Sequence, residues 1–430
     1  MRIHIIGAGP TGMSLAWELK KYTDHEVSIY DKKTSCGGAW WEPDTNVRDI
    51  HAHKILFDQA FVNTHSLLNE MGIKWDEMFE KVNILDVFKT TFKNLNVSDY
   101  IHLLSLALSV LSQPNKYKGM TLQDSIGSLS ENGKKVISAL PYIMDGVGWE
   151  TMSAYEFIKS FDHVGLSSQY TQRISGKYMC DRMQIALVEA GVNFEFNKTL
   201  MDVQYKKDGY RATFDDDTFI EDGLLVLCVD SGHALNLIKN NWGPAAHKKI
   251  SSSVYKAINI LIDYEDPIEL SMSDLETAMN KSPLRLQPIV LSNNHTISCV
   301  ICDIDENVQK YEPKVLKSMV IKQLKLPKPK SIRVGWSSVW KDDAWHYTQT
   351  SSVMGIHGQI PFFGDCPDVA ICGMMSDRST PYSSIESAIE VSRIFCHEKF
   401  DTRRPLKPVI ITNLLLVVLI LVIFILRKRL

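Results

Sequence analysis

The sequence predicts an α/β fold: a parallel sheet assembled from separated stretches of chain, with a mixed α+β part inserted into it. An apolar helix is predicted at the C-terminus. Three observations carry this. Residues 3–31 read as strand, glycine turn, helix and strand. Residues 175–229 read as helix, hairpin and a fully apolar strand. Residues 369–395 read as a third strand followed by an amphipathic helix.

In the first stretch, Ile3 to Ile6 is a short buried-strand run. Gly7, Gly9 and Gly12 follow at G-x-G-x-x-G spacing, and Leu15, Ala16 and Leu19 give Met13 to Lys21 a helical rhythm. Each glycine has a mechanical role. Gly7 turns the chain, Gly9 admits a pyrophosphate to the backbone, and Gly12 lets helix and strand approach. The helix N-terminus points unpaired N–H groups and a positive dipole end at phosphate, and Pro10 and Thr11 are expected at the cofactor. Val27 to Tyr30 is the second strand, and Asp31 ends it where a carboxylate accepts ribose hydroxyls. Lys32 follows, then the turn Gly37-Gly38 with Ala39 and Trp40, which alone reads as an ordinary loop turn and is set at the cofactor by the family resemblance given below. This is a Rossmann-type dinucleotide fingerprint.

Residues from about 80 to 175 read mostly helical, and Ile101 to Leu111 is too short to span a bilayer. It is read either as a core helix, which is favoured, or as a membrane-facing entrance. Ser175 to Gly191 is a helix, and Val192 to Phe196 a strand. Met201 to Tyr205 and Tyr210 to Phe214 form a hairpin on the turn Lys207-Asp208-Gly209, the start of a β-meander. Leu224 to Val229 is apolar throughout, as in a parallel sheet covered on both faces. A second excursion, Ile250 to Asp365, holds the strands Val254–Ile262 and Ile297–Cys302 and a helix near Pro313–Leu324. Val369 to Gly373 then returns as a strand.

The chain's 430 residues suit two packed domains. A net charge of -3 offers no basic patch for nucleic acid. Eight scattered cysteines suit reduced thiols in a cytosol-facing protein, and Cys299 to Cys302 reads as core strand, not as a metal or redox site. No metal-ligand set and no Ser-His-Asp arrangement stands out. No secretory leader is expected ahead of the first strand. Val409 to Leu426 is apolar apart from Thr412 and Asn413 and ends in Arg427-Lys428-Arg429-Leu430. Its 18 residues would reach ~27 Å as a helix, about one hydrocarbon core. It reads as a transmembrane tail anchor with a cytosolic body, in the mitochondrial outer membrane or the endoplasmic reticulum. Basic residues flank it on both sides (Arg403, Arg404 and Lys407 before it), so charge bias does not set its orientation.

The three segments together resemble the FAD-dependent amine oxidase superfamily, monoamine oxidases included. The resemblance implies a discontinuous FAD-binding domain (1–78, 176–240 and 366–398), a substrate domain (79–175 and 241–365), a linker (399–408) and the anchor (409–426). It implies that Val203 meets adenine through its backbone. Gly373 to Ile389 is similar to the family's C-terminal motif, with Gly373, Met374, Ser383, Ser384 and Ile385 at the cofactor. There the helix opening at Ser383 would stabilise negative charge on the flavin. Met374 stands where the family has Asp, and Ser387 where it has Gly.

The family's Ser-Val-x-Lys occurs as Ser253 to Lys256, implying a lysine that holds a water near flavin N5 and assists reoxidation by oxygen. By itself Lys256 reads either so or as a strand-edge lysine reaching solvent. It shares an alternating face with Val254, Ile258, Ile260 and Ile262. Trp340, Trp345 and Tyr347 lie in a Trp-x-x-Asp-x-aromatic segment implied to wall the substrate pocket, with Ala344 in place of Pro. Tyr382 lies two residues before Ser384, where a tyrosine-cage wall would fall. No cysteine follows closely enough for covalent attachment, so FAD is expected to be non-covalent. His51 and His53 could face the pocket but read better as structural. The expected reaction is hydride transfer to flavin from a small-molecule carbon bearing an amine, with oxygen as acceptor. Two rivals are a desaturase or oxidase of a lipophilic substrate and a non-catalytic escort-type relative.

Overall fold

The computed structural model describes residues 1–43, 48–49, 54–82, 93, 95–206, 209–238, 241–270, 283–291, 294–302, 304–347, 351–352 and 358–413. β1 (Arg2–Ile6) and β2 (Glu26–Asp31) are joined by α1 (Pro10–Tyr22) and pair in parallel, Ile3 opposite Val27. A parallel pair needs such a crossover. A helical stretch follows: α2 (Val62–Glu70), α3 (Val97–Ser112), α4 (Pro114–Lys118), α5 (Glu131–Asp145) and α6 (Ala154–Val164). Leu106 and Val110 of α3 are buried with Leu140 of α5 and Phe157 of α6 in one core. The expectation of a core helix over Ile101 to Leu111 holds for that face alone. Ile101, Leu104 and Leu108 on the other side are 60–62% exposed.

α7 (Gly176–Glu189), β3 (Asn193–Phe196) and the antiparallel meander β4 (Leu200–Lys206), β5 (Gly209–Phe214) and β6 (Phe219–Ile220) come next. Lys207 and Asp208 of the predicted turn lie outside the described residues. The apolar strand is β7 (Leu224–Leu227), and α8 (Ser231–Ile238) follows it. β8 (Ile258–Asp263), β9 (Arg285–Val290), β10 (Thr296–Cys302) and, beyond α9 (Pro313–Gln323), β11 (Ser331–Val334) form a four-stranded antiparallel sheet. Leu316 and Val320 of α9 pack on Ile258, Ile260 and Ile301 of that sheet. Cys299 and Cys302 are buried there and form no disulfide. β12 (Ser338–Lys341) and β13 (Ala344–Tyr347) make a hairpin. β14 (Val369–Ile371) and α10 (Ile385–Phe400) close the described core.

β14, β7, β1, β2 and β3, in that order, form one parallel sheet drawn from three separated stretches. Alternate residues supply its two cores. Ile3, Ile5, Ile29 and Val226 face Leu15 and Leu19 of α1 and Ile389 of α10. Ile6, Tyr30, Leu225 and Leu227 face Val203, Ala212 and Phe214 of the meander. At the β14–β7 end of the sheet, with both faces covered, the two strands are apolar throughout.

Arg393 of α10 is fully buried, donating to Glu18 of α1 (2.9 Å) and to Asn63 of α2 (2.8 Å). Arg403 adds bonds to Glu18 (Nε to Oε2, 2.9 Å) and to Glu70 (2.7 Å), and Leu406 N–H donates to Asn63 Oδ1 (2.8 Å). Residues 399–408, expected as a linker, are therefore strapped to α1 and α2. Against the upward push of burial, hydrogen bonds from Arg403 and Lys21 hold the Glu70 carboxyl well below the ordinary range. Among the described residues no helix is long and apolar enough to cross a membrane. Residues 414–430, most of the predicted anchor, lie outside them.

Candidate functional site

A crevice of about 230 Å³ opens outside the carboxyl ends of β1, β2, β7 and β14, where ligands of open α/β sheets lie. Three stretches of chain converge on it. Gly7, Gly9, Pro10 and Thr11 come from the turn after β1; Asp31, Lys32, Gly38, Ala39 and Trp40 follow β2. Gly373, Met374, Ser383, Ser384 and Ile385 follow β14. Gly12, Gly37 and Val203 do not line it. Gly12 lies against the turn, where a Cβ would stand 2.0 Å from the Gly7 carbonyl oxygen. Gly37 N–H donates to Ala8 O (2.9 Å), tying the second turn to the first. Val203 is buried in the meander core.

The two glycine turns touch. Gly38 has φ +54°, and a Cβ on it would lie 2.8 Å from Gly9 Cα. A cradle this narrow, with no side chain at Gly9 or Gly38, would let a pyrophosphate approach the backbone at the start of α1. Asp31 accepts from Ala8 N (2.7 Å) and Lys33 N (2.8 Å), which fixes its carboxylate at the crevice edge. These features fit a bound dinucleotide.

The third stretch is held by buried charge. Arg378 donates to the carbonyls of Met374 (3.3 Å), Thr380 and Tyr382 (3.2 Å). Glu390 accepts from Ser379 and from Thr380 N (2.8 Å). Ser384 and Ser387 form a capping box at the start of α10. Ser387 Oγ also lies 3.2 Å from Met374 Sδ. The two departures from the family motif are therefore neighbours in space.

Asp145, at the end of α5, accepts from Ser383 N (3.3 Å), and burial pushes its carboxyl up to about 6 against that bond and Arg378. Sequence reading missed it, since 238 residues separate the partners. It also missed Lys33, Lys198, Cys228 to Ser231 and His233, which line the crevice. Burial lowers Lys33 to about 8, with Asp31 opposing. His233 Nδ1 lies 2.6 Å from Asp230 Oδ2, and Lys32 Nζ lies 2.8 Å from His233 Nε2. The available signal was positional: every strand of a parallel sheet delivers its next residues to the same edge.

The residues expected around the substrate stand elsewhere. Tyr382 is buried beside Phe61 (centroids 6.1 Å apart, stacked), its hydroxyl 2.7 Å from His163 Nδ1. Trp345 is buried in the core of the antiparallel sheet, donating to Tyr311 O (2.9 Å), with Trp340 packed on it at 5.5 Å. Tyr347 donates to Gln309 (2.8 Å). Lys256 does not continue an apolar strand face. The predicted strand splits into Val254–Tyr255 and β8, leaving Lys256 exposed between them, its Nζ 5.2 Å from the Tyr347 ring centroid. Exposure removes the desolvation that made the lysine notable, and the structure does not bring it to the crevice. His51 and His53 lie outside the described residues. Among the described residues no cluster of His, Cys, Asp and Glu is arranged to hold a metal.

His163 provides a pH test of this packing. Burial lowers it to about 4 from an ordinary 6.5, with Glu390 and Asp162 opposing and Lys159 assisting. The unfolded chain then gains a proton near pH 6.5 that the folded chain refuses until about 4. This contribution is complete above pH 6.5 and is lost as pH falls through 4. His163→Gln is expected to flatten the decline of Tm across that interval, measured by thermal denaturation in a pH series. An unchanged slope would contradict a buried neutral imidazole.

Residues 5–59 match the sequence profile of the NAD(P)-binding Rossmann-like domain. Thiamine thiazole synthase from Pyrococcus horikoshii is 35% identical over 79 residues, 18% of this chain and 27% of that protein. The matched stretch thus spans about a quarter of its length. An oxidoreductase from Methanosarcina mazei superposes with TM-score 0.64 at 15% identity, over 92% of this chain and 100% of the other. Putrescine oxidase bound to putrescine gives 0.63 at 13%, over 93% and 99%. A provisionally assigned protoporphyrinogen oxidase from Exiguobacterium sp. 255-15 gives 0.61 at 11%, over 92% and 98%. At these identities the likeness establishes the fold. The chain shares its α/β fold with these solved oxidases and the Methanosarcina mazei oxidoreductase.

Proposed function

We propose that this protein is a membrane-anchored oxidoreductase of amine oxidase type that binds FAD non-covalently. One observation carries the reading: three stretches of chain, each recognisable in sequence, meet around one crevice at the carboxyl edge of the sheet. FAD, when bound, supplies the acceptor for a hydride from a substrate carbon alpha to an amine, with oxygen as the final acceptor. The chain supplies position and electrostatics. Gly7, Gly9 and Gly38 would hold the pyrophosphate, and Asp31 the ribose. The N-terminal turn of α10, after Ser383 and Ser384, would present a positive dipole end to negative charge on a bound cofactor. Arg378 and Glu390 keep that turn in place.

The apolar run 409–426 supports single-pass C-terminal anchoring, with the body in the cytosol at the mitochondrial outer membrane or the endoplasmic reticulum. A second reading, a non-catalytic nucleotide-binding relative, draws on the Met374–Ser387 contact, which puts a thioether where the family motif has a carboxylate. Anaerobic reduction of the flavin by a panel of primary, secondary and polyamines, with peroxide measured on adding air, tests the activity. Bleaching by at least one amine is expected. Reduction by lipophilic substrates alone would move the assignment to a desaturase or porphyrinogen-type oxidase.

A further inference from the structure

We propose that the exposed face of α3 is a second membrane contact, lying in the headgroup–acyl boundary of the leaflet that the C-terminal segment enters. The proposal rests on the anchor reading above. Val97, Tyr100, Ile101, Leu104, Leu108 and Leu111 recur at spacings of three and four, so they form one stripe. Val97 is 77% and Leu104 62% exposed. The other exposed positions of α3 are Ser98, Ser105 and Ser112, so the outer face carries no charge.

The acid of α3 is turned inward. Asp99 caps the helix start and accepts from Ser130 N (2.8 Å) and Ser130 Oγ (2.6 Å). Directly after the stripe, α4 exposes Lys116 and Lys118, which match anionic headgroups. An uncharged apolar face beside lysines is the pattern of a helix lying in a bilayer interface.

The path of the C-terminus selects the occupant. Thr412 N and Oγ1 both donate to Asp162 Oδ1 at 2.8 Å, and Ile411 lies against Gly165. Both contacts are at the end of α6, which packs on α3. The apolar segment therefore leaves the body from the same helical unit that displays the stripe. A bilayer that receives residues 414–426 is brought to α3, and two contacts fix the tilt of the body where one would leave it free to swivel.

The test uses the full chain, labelled with an environment-sensitive fluorophore at Leu104→Cys, Leu419→Cys or Glu131→Cys. The eight native cysteines are buried and do not compete. Each protein is bound to phosphatidylcholine–phosphatidylserine vesicles containing brominated lipid. Quenching is expected at 104 and 419, and not at 131. Leu108→Glu should release the label at 104 while leaving that at 419 quenched. Quenching at 419 alone overturns the proposal and leaves the anchor standing. Quenching at neither position retires the anchor and the proposal together. A 104 label already shielded without lipid also overturns it, because the chain's own tail or a second copy would then cover the stripe.

Discussion

Replacing Arg393 by alanine is expected to remove about 3–5 kcal/mol of stability, the range found when one partner of a buried ion pair is deleted. Arg393 and Glu18 are both fully buried, and the guanidinium joins α10, α1 and α2 through Glu18, Asn63 and Ser66. Without it, Glu18 retains Arg403, while Asn63 Oδ1 keeps only Leu406 N–H. Because α10 carries Ser384 and Ile385 to the crevice, the variant should also lose cofactor on mild heating. Urea unfolding of the two proteins measures the difference. A change under about 1 kcal/mol would put this network among exposed pairs of little consequence.

Gly38→Val is expected to weaken FAD binding by about two orders of magnitude with little effect on the fold. The backbone at Gly38 has φ +54°, and its Cβ would lie 2.8 Å from Gly9 Cα. A β-branched residue there is a genuine outlier. Strain of about 1–3 kcal/mol, relieved by separating the two turns, corresponds to roughly 5–150-fold in affinity, before any pyrophosphate contact is lost. Titration with FAD, beside circular dichroism of the apoprotein, separates the effects. Wild-type affinity in the variant would mean that the cofactor does not use this cradle.

What could be read from the sequence was local. The β1–α1–β2 unit follows from glycine spacing and two hydrophobic periods, and Gly12 meets the Gly7 carbonyl as its place in the motif requires. That Leu224 to Val229 and Val369 to Gly373 are strands of a sheet buried on both faces followed from their apolar runs; that β14 pairs on β7 came from the structure. Long-range partnerships could not be read. Nothing near Tyr382 in the chain announces His163 or Phe61, which draw it into the core. Lys256 misled because alternation over Val254 to Ile262 was taken as one strand, whereas the chain changes partner, from Ser351–Ser352 to β10, across Lys256 and Ala257. Leu104 and Leu108 misled in the opposite way, since an apolar helix need not bury every side.

The central claim is that the crevice holds FAD without a covalent bond. The visible spectrum of the purified full chain, taken before and after acid precipitation, tests it most directly. The account predicts a flavin band that moves to the supernatant with acid. A colourless protein that stays colourless when FAD is added would contradict it and leave a dinucleotide fold without its flavin.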